Sequence, residues 1–171
     1  MPVLTVVDLF SGLGGASAAM ADRGWKVLRL DIESRFHPTV VADVLHLPLR
    51  EGLCPDLLWM SPPCTEFTRW MFSFRFGSSI PSMDLVDATR SCVCWLRPRW
   101  WVLENVRGSV PFLGTYRQRF GPFYLWGEFP LLMLAGGRPR KDTRHVKSPE
   151  KRALVPYDLS LALALAIEHA T

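Results

Sequence analysis

A cysteine stands directly behind two prolines in Ser61-Pro62-Pro63-Cys64-Thr65, and an acid opens Glu104-Asn105-Val106. Each follows a short apolar run, Asp56 to Met60 for the cysteine and Trp100 to Leu103 for the acid. Such runs, bounded by turn residues, read as buried strands. The prolines fix the backbone and end the strand, so the Cys64 thiol is held at a strand end instead of sinking into the core. A free cysteine is only a few per cent thiolate at neutral pH, so a site that uses Cys64 as nucleophile must activate it or couple its deprotonation to attack. Partial burial at a strand end favours the protonated form of a carboxylic acid, and Glu104 could then donate a proton. The structural alternative for Glu104 is a helix-cap or loop carboxylate.

A second set of residues has the character of a ligand site. Asp8-Leu9-Phe10-Ser11-Gly12-Leu13-Gly14-Gly15 joins a strand to a helix. Glycines there let the backbone approach a ligand closely, and a helix N-terminus favours electron-rich groups. Asp31 ends the next strand and could take the two hydroxyls of a ribose. Asp43 ends the strand after that and fits an adenine amino donor, with a solvated loop carboxylate as the alternative. Ser17 stands where a dinucleotide fingerprint would have its third glycine, which favours a nucleoside without phosphates over a pyrophosphate ligand.

The elements that must position these residues follow from the pattern of the chain. Strands are expected at Leu4 to Leu9, Lys26 to Leu30, Val40 to Ala42, Asp56 to Met60 and Trp100 to Leu103. Helices are expected from about Gly14 to Arg23, Ser82 to Trp95 and Tyr157 to His169, the last starting after Pro156 with Asp158 in its first turn. Alternating strands and helices imply an α/β fold with a mostly parallel central sheet flanked by helices. Ligands in such sheets sit beyond the carboxyl ends of the strands, where Asp8, Asp31, Asp43, Cys64 and Glu104 all fall. Further on, Phe123 to Leu134 reads as extended structure with an aromatic turn at Tyr124-Leu125-Trp126-Gly127, and Gly136 to Lys151 as a polar, basic loop.

With 171 residues, the chain is expected to form one domain. Its 49% hydrophobic and 21% charged residues are those of an ordinary soluble globular protein, without a signal-peptide plan or a membrane-length apolar run. The four cysteines lack paired C-x-x-C spacing, which points away from zinc and towards free thiols in a reducing, cytoplasmic compartment. Net charge is only +4. Arg69, Arg75, Arg97, Arg99, Arg107, Arg117 and Arg119 nevertheless fall among aromatics from Trp70 to Trp126, a mixture that suits nucleic acid, with a solvated basic face over an aromatic core as the equal alternative.

Taken together, Asp8-Leu9-Phe10-x-Gly12-x-Gly14-Gly15, Pro63-Cys64-x-x-Phe67-Thr68 and Glu104-Asn105-Val106 resemble the cytosine-C5 DNA methyltransferases in content, order and spacing. The resemblance covers about residues 4 to 107 and, faintly, the last helix. It implies a Rossmann-like methyltransferase fold and S-adenosyl-L-methionine as methyl donor. Phe10 and the glycine turn with Gly12, Gly14 and Gly15 would cradle it, Asp31 would hold its ribose and Asp43 its adenine, with Asp8, Ser11, Ile32, Val44 and Pro62 also among the residues that bind it. It further implies that Cys64, behind Pro63, attacks C6 of cytosine in DNA, that Glu104 serves N3 and the exocyclic amine, and that Asn105 belongs to the same catalytic group. The base must flip out of the duplex to be reached. Residues from about Phe67 to Ser79 would close over it, with Arg69, Trp70, Arg75 and Arg107 on the nucleic acid and Gly77 as a hinge; the alternative for the aromatics is packing beneath the sheet.

The chain departs from the family pattern at three points. Residues 106–156 leave no room for a separate base-reading domain, which implies relaxed or very short specificity. The Gln-x-Arg-x-Arg element is replaced by Tyr116-Arg117-Gln118-Arg119, making Arg119 its counterpart on the cytosine O2. Ala153 stands where an asparagine is common before Val155-Pro156. The expected protein is a monomer, with a partner protein as a possible source of recognition and without membrane attachment. Other outcomes are transfer to RNA, transfer of another group, a non-catalytic DNA-binding protein that keeps the fold, and a nicotinamide-dependent oxidoreductase. The last has no use for Pro63-Cys64 or Glu104-Asn105-Val106.

Overall fold

A computed structural model describes residues 3–76, 79–133 and 148–171. Seven strands form one sheet: β1 Thr5–Leu9, β2 Lys26–Asp31, β3 Val40–Val41, β4 Leu57–Met60, β5 Trp100–Asn105, β6 Gln118–Phe120 and β7 Phe123–Glu128. Their order is β3-β2-β1-β4-β5-β7-β6. Neighbours from β3 through β5 are parallel, and β7 runs antiparallel to both β5 and β6. The expected α/β architecture, with helices on both faces of a mostly parallel sheet, is what the chain forms.

Alternation along the strands divides the core into two layers, because successive side chains point to opposite faces. Val6, Leu57 and Trp59 face the layer formed with α1 (Ala18–Asp22) and α7 (Tyr157–Ala170). Val7, Leu58 and Met60 face the layer formed with α2 (Thr65–Met71) and α4 (Asp84–Leu96). All four residues of β4 are buried, as a central strand covered on both sides requires. In α4, Val86, Thr89, Cys92 and Leu96 form the buried stripe, while Asp84 and Asp87 complement the helix dipole at its first turn. The shorter helices are α3 (Ser73–Phe76), α5 (Val110–Leu113) and α6 (Pro149–Ala153).

Several expectations are corrected. The first helix starts at Ala18, not near Gly14, because Gly12 (φ +46°) and Gly14 (φ +79°) hold left-handed backbone that a helix cannot use. Strand β5 continues through Asn105, so Glu104 lies within it instead of after it. The aromatic stretch 124–127 is the interior of β7, not a turn. Gly127 is needed there because a Cβ would lie 2.1 Å from the Trp101 carbonyl oxygen, so this glycine marks close strand approach. Residues 67–76, expected within a closing loop, are largely helical in α2 and α3, and Phe67 is buried. The hinge expected at Gly77 and most of the basic loop lie outside the described residues. The part of that loop at 149–151 is helical, started by a Ser148 cap and Pro149.

Candidate active site

The turn after β1 begins with Phe10 in the left-handed region, φ 59°. A non-glycine residue there is uncommon and persists only where its surroundings hold it. Here the main chain is held on both sides: Ser61 N–H donates to the Leu9 carbonyl (3.3 Å) and Ser11 N–H to the Leu30 carbonyl (3.0 Å). Phe10 thereby reaches a cleft beyond the strand ends, which it lines with Asp31, Ile32, Asp43, Val44 and Pro63. The cleft holds about 200 Å³. That is below the roughly 300–1,000 Å³ of full ligand pockets and suits a nucleoside-sized group. Leu45, Leu47 and Leu85 complete an apolar wall that sequence reasoning missed. Nothing in their type separates them from ordinary core leucines.

Both cleft carboxylates also serve the backbone. Asp31 accepts from Gly12 N–H through Oδ2 (2.8 Å) and from Glu33 N–H through Oδ1 (2.9 Å). Asp43 caps the 3-10 turn Val44–His46 by accepting from Leu45 N–H at 3.0 Å. Each oxygen has a second lone pair for a ligand.

Other residues of the glycine turn stand behind it. Asp8 is 1% exposed and accepts from the Ser17 hydroxyl at 2.6 Å. Burial pushes its carboxyl up to about 7, against the opposing pull of Ser17 and the Arg29 charge. Ser11 is buried. Gly15 packs on the C-terminal segment, where a Cβ would lie 2.5 Å from both Leu154 Cδ1 and the Val155 carbonyl oxygen. A Cβ on Gly14 would lie 3.0 Å from the Arg29 guanidinium. Asp8, Ser11, Gly14 and Gly15 are thus placed to shape the turn instead of lining the cleft. Sequence reasoning passed over Arg29, whose one visible signal is a cation between the apolar residues Leu28 and Leu30 of β2.

Across the cleft, Pro63 lines the cavity and Cys64 follows it at the cap of α2, half-buried. Trp59 is fully buried and donates its indole N–H to Ser61 Oγ (2.7 Å), securing the start of the turn. Asn105 secures its middle: Nδ2 donates to the Pro62 carbonyl at 3.0 Å, while Oδ1 accepts from Val106 N–H at 2.9 Å. Both Asn105 and Pro62 are buried. Because β4 and β5 are parallel neighbours with Met60 opposite Leu103, the Cys64 turn and Glu104 emerge at the same sheet edge. Helix α2 also rests on the turn Arg107–Ser109, so tightly that a Cβ on Gly108 would lie 2.3 Å from the Phe67 carbonyl oxygen. Gly108 was another residue the sequence did not single out.

The expected nucleic-acid residues are less uniform. Arg69, Arg75 and Arg107 are exposed. Arg75 sits over the Phe74 ring at 5.5 Å. Trp70 is half-buried and meets Phe112 edge-on at 4.9 Å, so it joins α2 to α5. Arg119 stands apart from the Cys64 turn on β6, with β7 between it and β5; its Nε donates to the Gly121 carbonyl and its guanidinium covers Tyr124. Among the described residues, His, Cys, Asp and Glu form no group arranged to hold a metal ion, and no helix is long and apolar enough to cross a membrane.

No protein-family model matches the chain. Type II methyltransferase M.HindV of Haemophilus influenzae is 30% identical to it over 114 residues, 58% of this chain and 36% of that protein. A probable DNA (cytosine-5)-methyltransferase of Frog virus 3 is 27% identical over 117 residues, 60% of this chain and 53% of that protein. The chain therefore spans between about a third and a half of these curated relatives. Among solved structures, the Entamoeba histolytica methyltransferase EhMeth superposes with a TM-score of 0.54 at 15% identity, covering 82% of this chain and 58% of that chain. The fold is the Rossmann-like fold of methyltransferases.

Proposed function

We propose that this chain carries the catalytic centre of an S-adenosyl-L-methionine-dependent methyltransferase acting on C5 of cytosine in DNA. The observation that carries the reading is the shared boundary of the two sites: Pro63 lines the nucleoside-sized cleft, and the next residue is Cys64. The residues of the cleft fit the donor. Its apolar walls and the Phe10 ring suit a purine, Asp43 offers an acceptor for an amino group, and Asp31 offers acceptors for ribose hydroxyls. Bound there, S-adenosylmethionine supplies an electrophilic methyl group. The Frog virus 3 relative, a probable DNA (cytosine-5)-methyltransferase, supports DNA as substrate.

In the proposed reaction the Cys64 thiol gives up its proton to solvent as its sulfur bonds to C6 of a cytosine flipped from the duplex, and the electron pair of the C5–C6 double bond moves towards C5. Glu104 holds a proton at N3 and so offsets the charge that develops in the ring. Asn105 grips the Pro62 carbonyl and keeps the cysteine turn from moving during attack. Once C5 carries the methyl group (the donor leaving as S-adenosylhomocysteine), its remaining proton passes to water, the C5–H electron pair re-forms the C5–C6 double bond, and the C6–S bond breaks to return Cys64 as a thiolate. Exposed Arg69, Arg75 and Arg107 lie on the elements around the turn and are proposed to hold phosphates. The short span of residues 106–156 supports a short or relaxed target.

DNA containing 5-fluorocytosine tests the reading, because fluorine at C5 blocks the final elimination. With S-adenosylmethionine present, the protein should become attached to such DNA through a bond that survives denaturing gels. Cys64→Ala should abolish the adduct. An undiminished adduct with the alanine variant would move the nucleophile elsewhere and end this assignment.

A further inference from the structure

Arg29 lies in the middle of β2, directly in register with Asp8 on β1. A cation at such a position needs partners, and it finds them in two other segments. Its Nη2 donates to the Gly12 carbonyl at 2.5 Å and to the Phe36 carbonyl at 3.1 Å. Gly12 is therefore held at both ends, its N–H by Asp31 Oδ2 and its carbonyl by Arg29. Gly14 rests on the same guanidinium, where a Cβ would lie 3.0 Å from Arg29 Cζ and Nε. Phe36 ends the 3-10 turn Ser34–Phe36, which leaves the cleft just beyond Asp31 and Ile32. One planar group thus joins β2, the glycine turn and the 34–36 turn that follows the cleft residues Asp31 and Ile32.

We propose that Arg29 is a positioning residue for the methyl donor: by orienting the Gly12 peptide and the 34–36 turn together, it sets the shape of the donor cleft and hence donor affinity. The proposal rests on the methyltransferase reading. Arg29 acts through carbonyls and does not itself line the cleft, so its influence falls on binding and not on the chemical step. A fork of donors is what serves two carbonyls from one side chain; lysine, a point charge on a flexible stem, does not reproduce it. Arg29 Nε and Asp8 Oδ1, on residues in register, are buried without hydrogen-bond partners, a cost that the two Nη2 bonds offset.

Calorimetric titration with S-adenosylhomocysteine, which needs no turnover, is the test. Arg29→Lys and Arg29→Ala should each weaken binding by about 10-fold or more. Turnover at saturating donor should stay within about twofold, so that the change appears in KM and not in kcat. In the unaltered protein, S-adenosylhomocysteine should slow amide exchange across residues 11–14 and 34–37, a measurement that stands even if both variants fail to fold. Wild-type affinity in Arg29→Lys, a loss confined to kcat, or exchange unaltered by the ligand would each overturn the proposal. Failure of the unaltered protein to bind S-adenosylhomocysteine would instead overturn the methyltransferase reading on which it rests.

Discussion

Gly108 offers the most direct test of how the cysteine helix is held. A Cβ added there would lie 2.3 Å from the Phe67 carbonyl oxygen, 2.8 Å from the Phe67 carbonyl carbon and 3.3 Å from Met71 Cβ. The first two are main-chain atoms of α2 and cannot rotate away. Ordinary contact begins at 3.4 Å, so Gly108→Ala must drive α2 and the turn Arg107–Ser109 apart by about 1 Å. Overpacking of this kind destabilises by about 1–3 kcal/mol, which for a domain of this size lowers Tm by about 3–10 °C. Because α2 carries Cys64 at its cap, a displacement of that size should also cost about 100-fold in rate. Gly52→Ala is the control. Open space surrounds that position, and its φ of +66° makes alanine unfavourable by about 1–2 kcal/mol. It should lose comparable stability while keeping its rate. Thermal unfolding and single-turnover methylation, measured on both variants, decide the matter. Equal rates in the two variants would show that α2 is not held through Gly108.

Two other perturbations address the strand ends. Asn105→Ala removes the donor to the Pro62 carbonyl and the acceptor for Val106 N–H, leaving buried groups unpaired at about 2 kcal/mol in all; Tm should fall by about 4–8 °C and the yield of 5-fluorocytosine adduct should fall with it, and an unchanged yield would separate Asn105 from the positioning of Cys64. Asp8, with its carboxyl raised from 3.8 to about 7, retains a proton in the folded state at pH values where the unfolded chain has lost it. Its contribution to stability is therefore fully present below about pH 4 and declines as pH rises through 7, by roughly 4 kcal/mol at the outside. Asp8→Asn should flatten the fall of Tm between pH 5 and 8 and be the more stable protein at pH 8; parallel curves would mean that Asp8 does not titrate in that range.

The sheet was legible in the chain because a parallel strand covered on both faces must be apolar throughout, as Leu57–Met60 is, and because prolines and glycines close each run. Failures occurred where one residue type serves two purposes. Gly127 read as a turn glycine but permits close approach of β7 to β5, a need created by a strand distant in sequence. Residues from about Phe67 to Ser79 read as a segment closing over the base, with packing of its aromatics beneath the sheet as the alternative. Phe67 enters the core, and Trp70 packs on Phe112, which no local pattern connects to it.

What the sequence alone determined is which chemistry-bearing residues fall at strand ends, since the alternation of apolar runs and turns is local and each run stops where its own side chains and prolines dictate. Which of those residues line the cleft and which stand behind it was decided only in three dimensions. Asp8 and Asp31 are both strand-end carboxylates beside the same turn, yet one is enclosed against Ser17 and the other borders open space. That division, like the contacts of Arg29 with Gly12 and of Asn105 with Pro62, depends on where strands remote in sequence come to lie side by side, and spacing along the chain does not specify it.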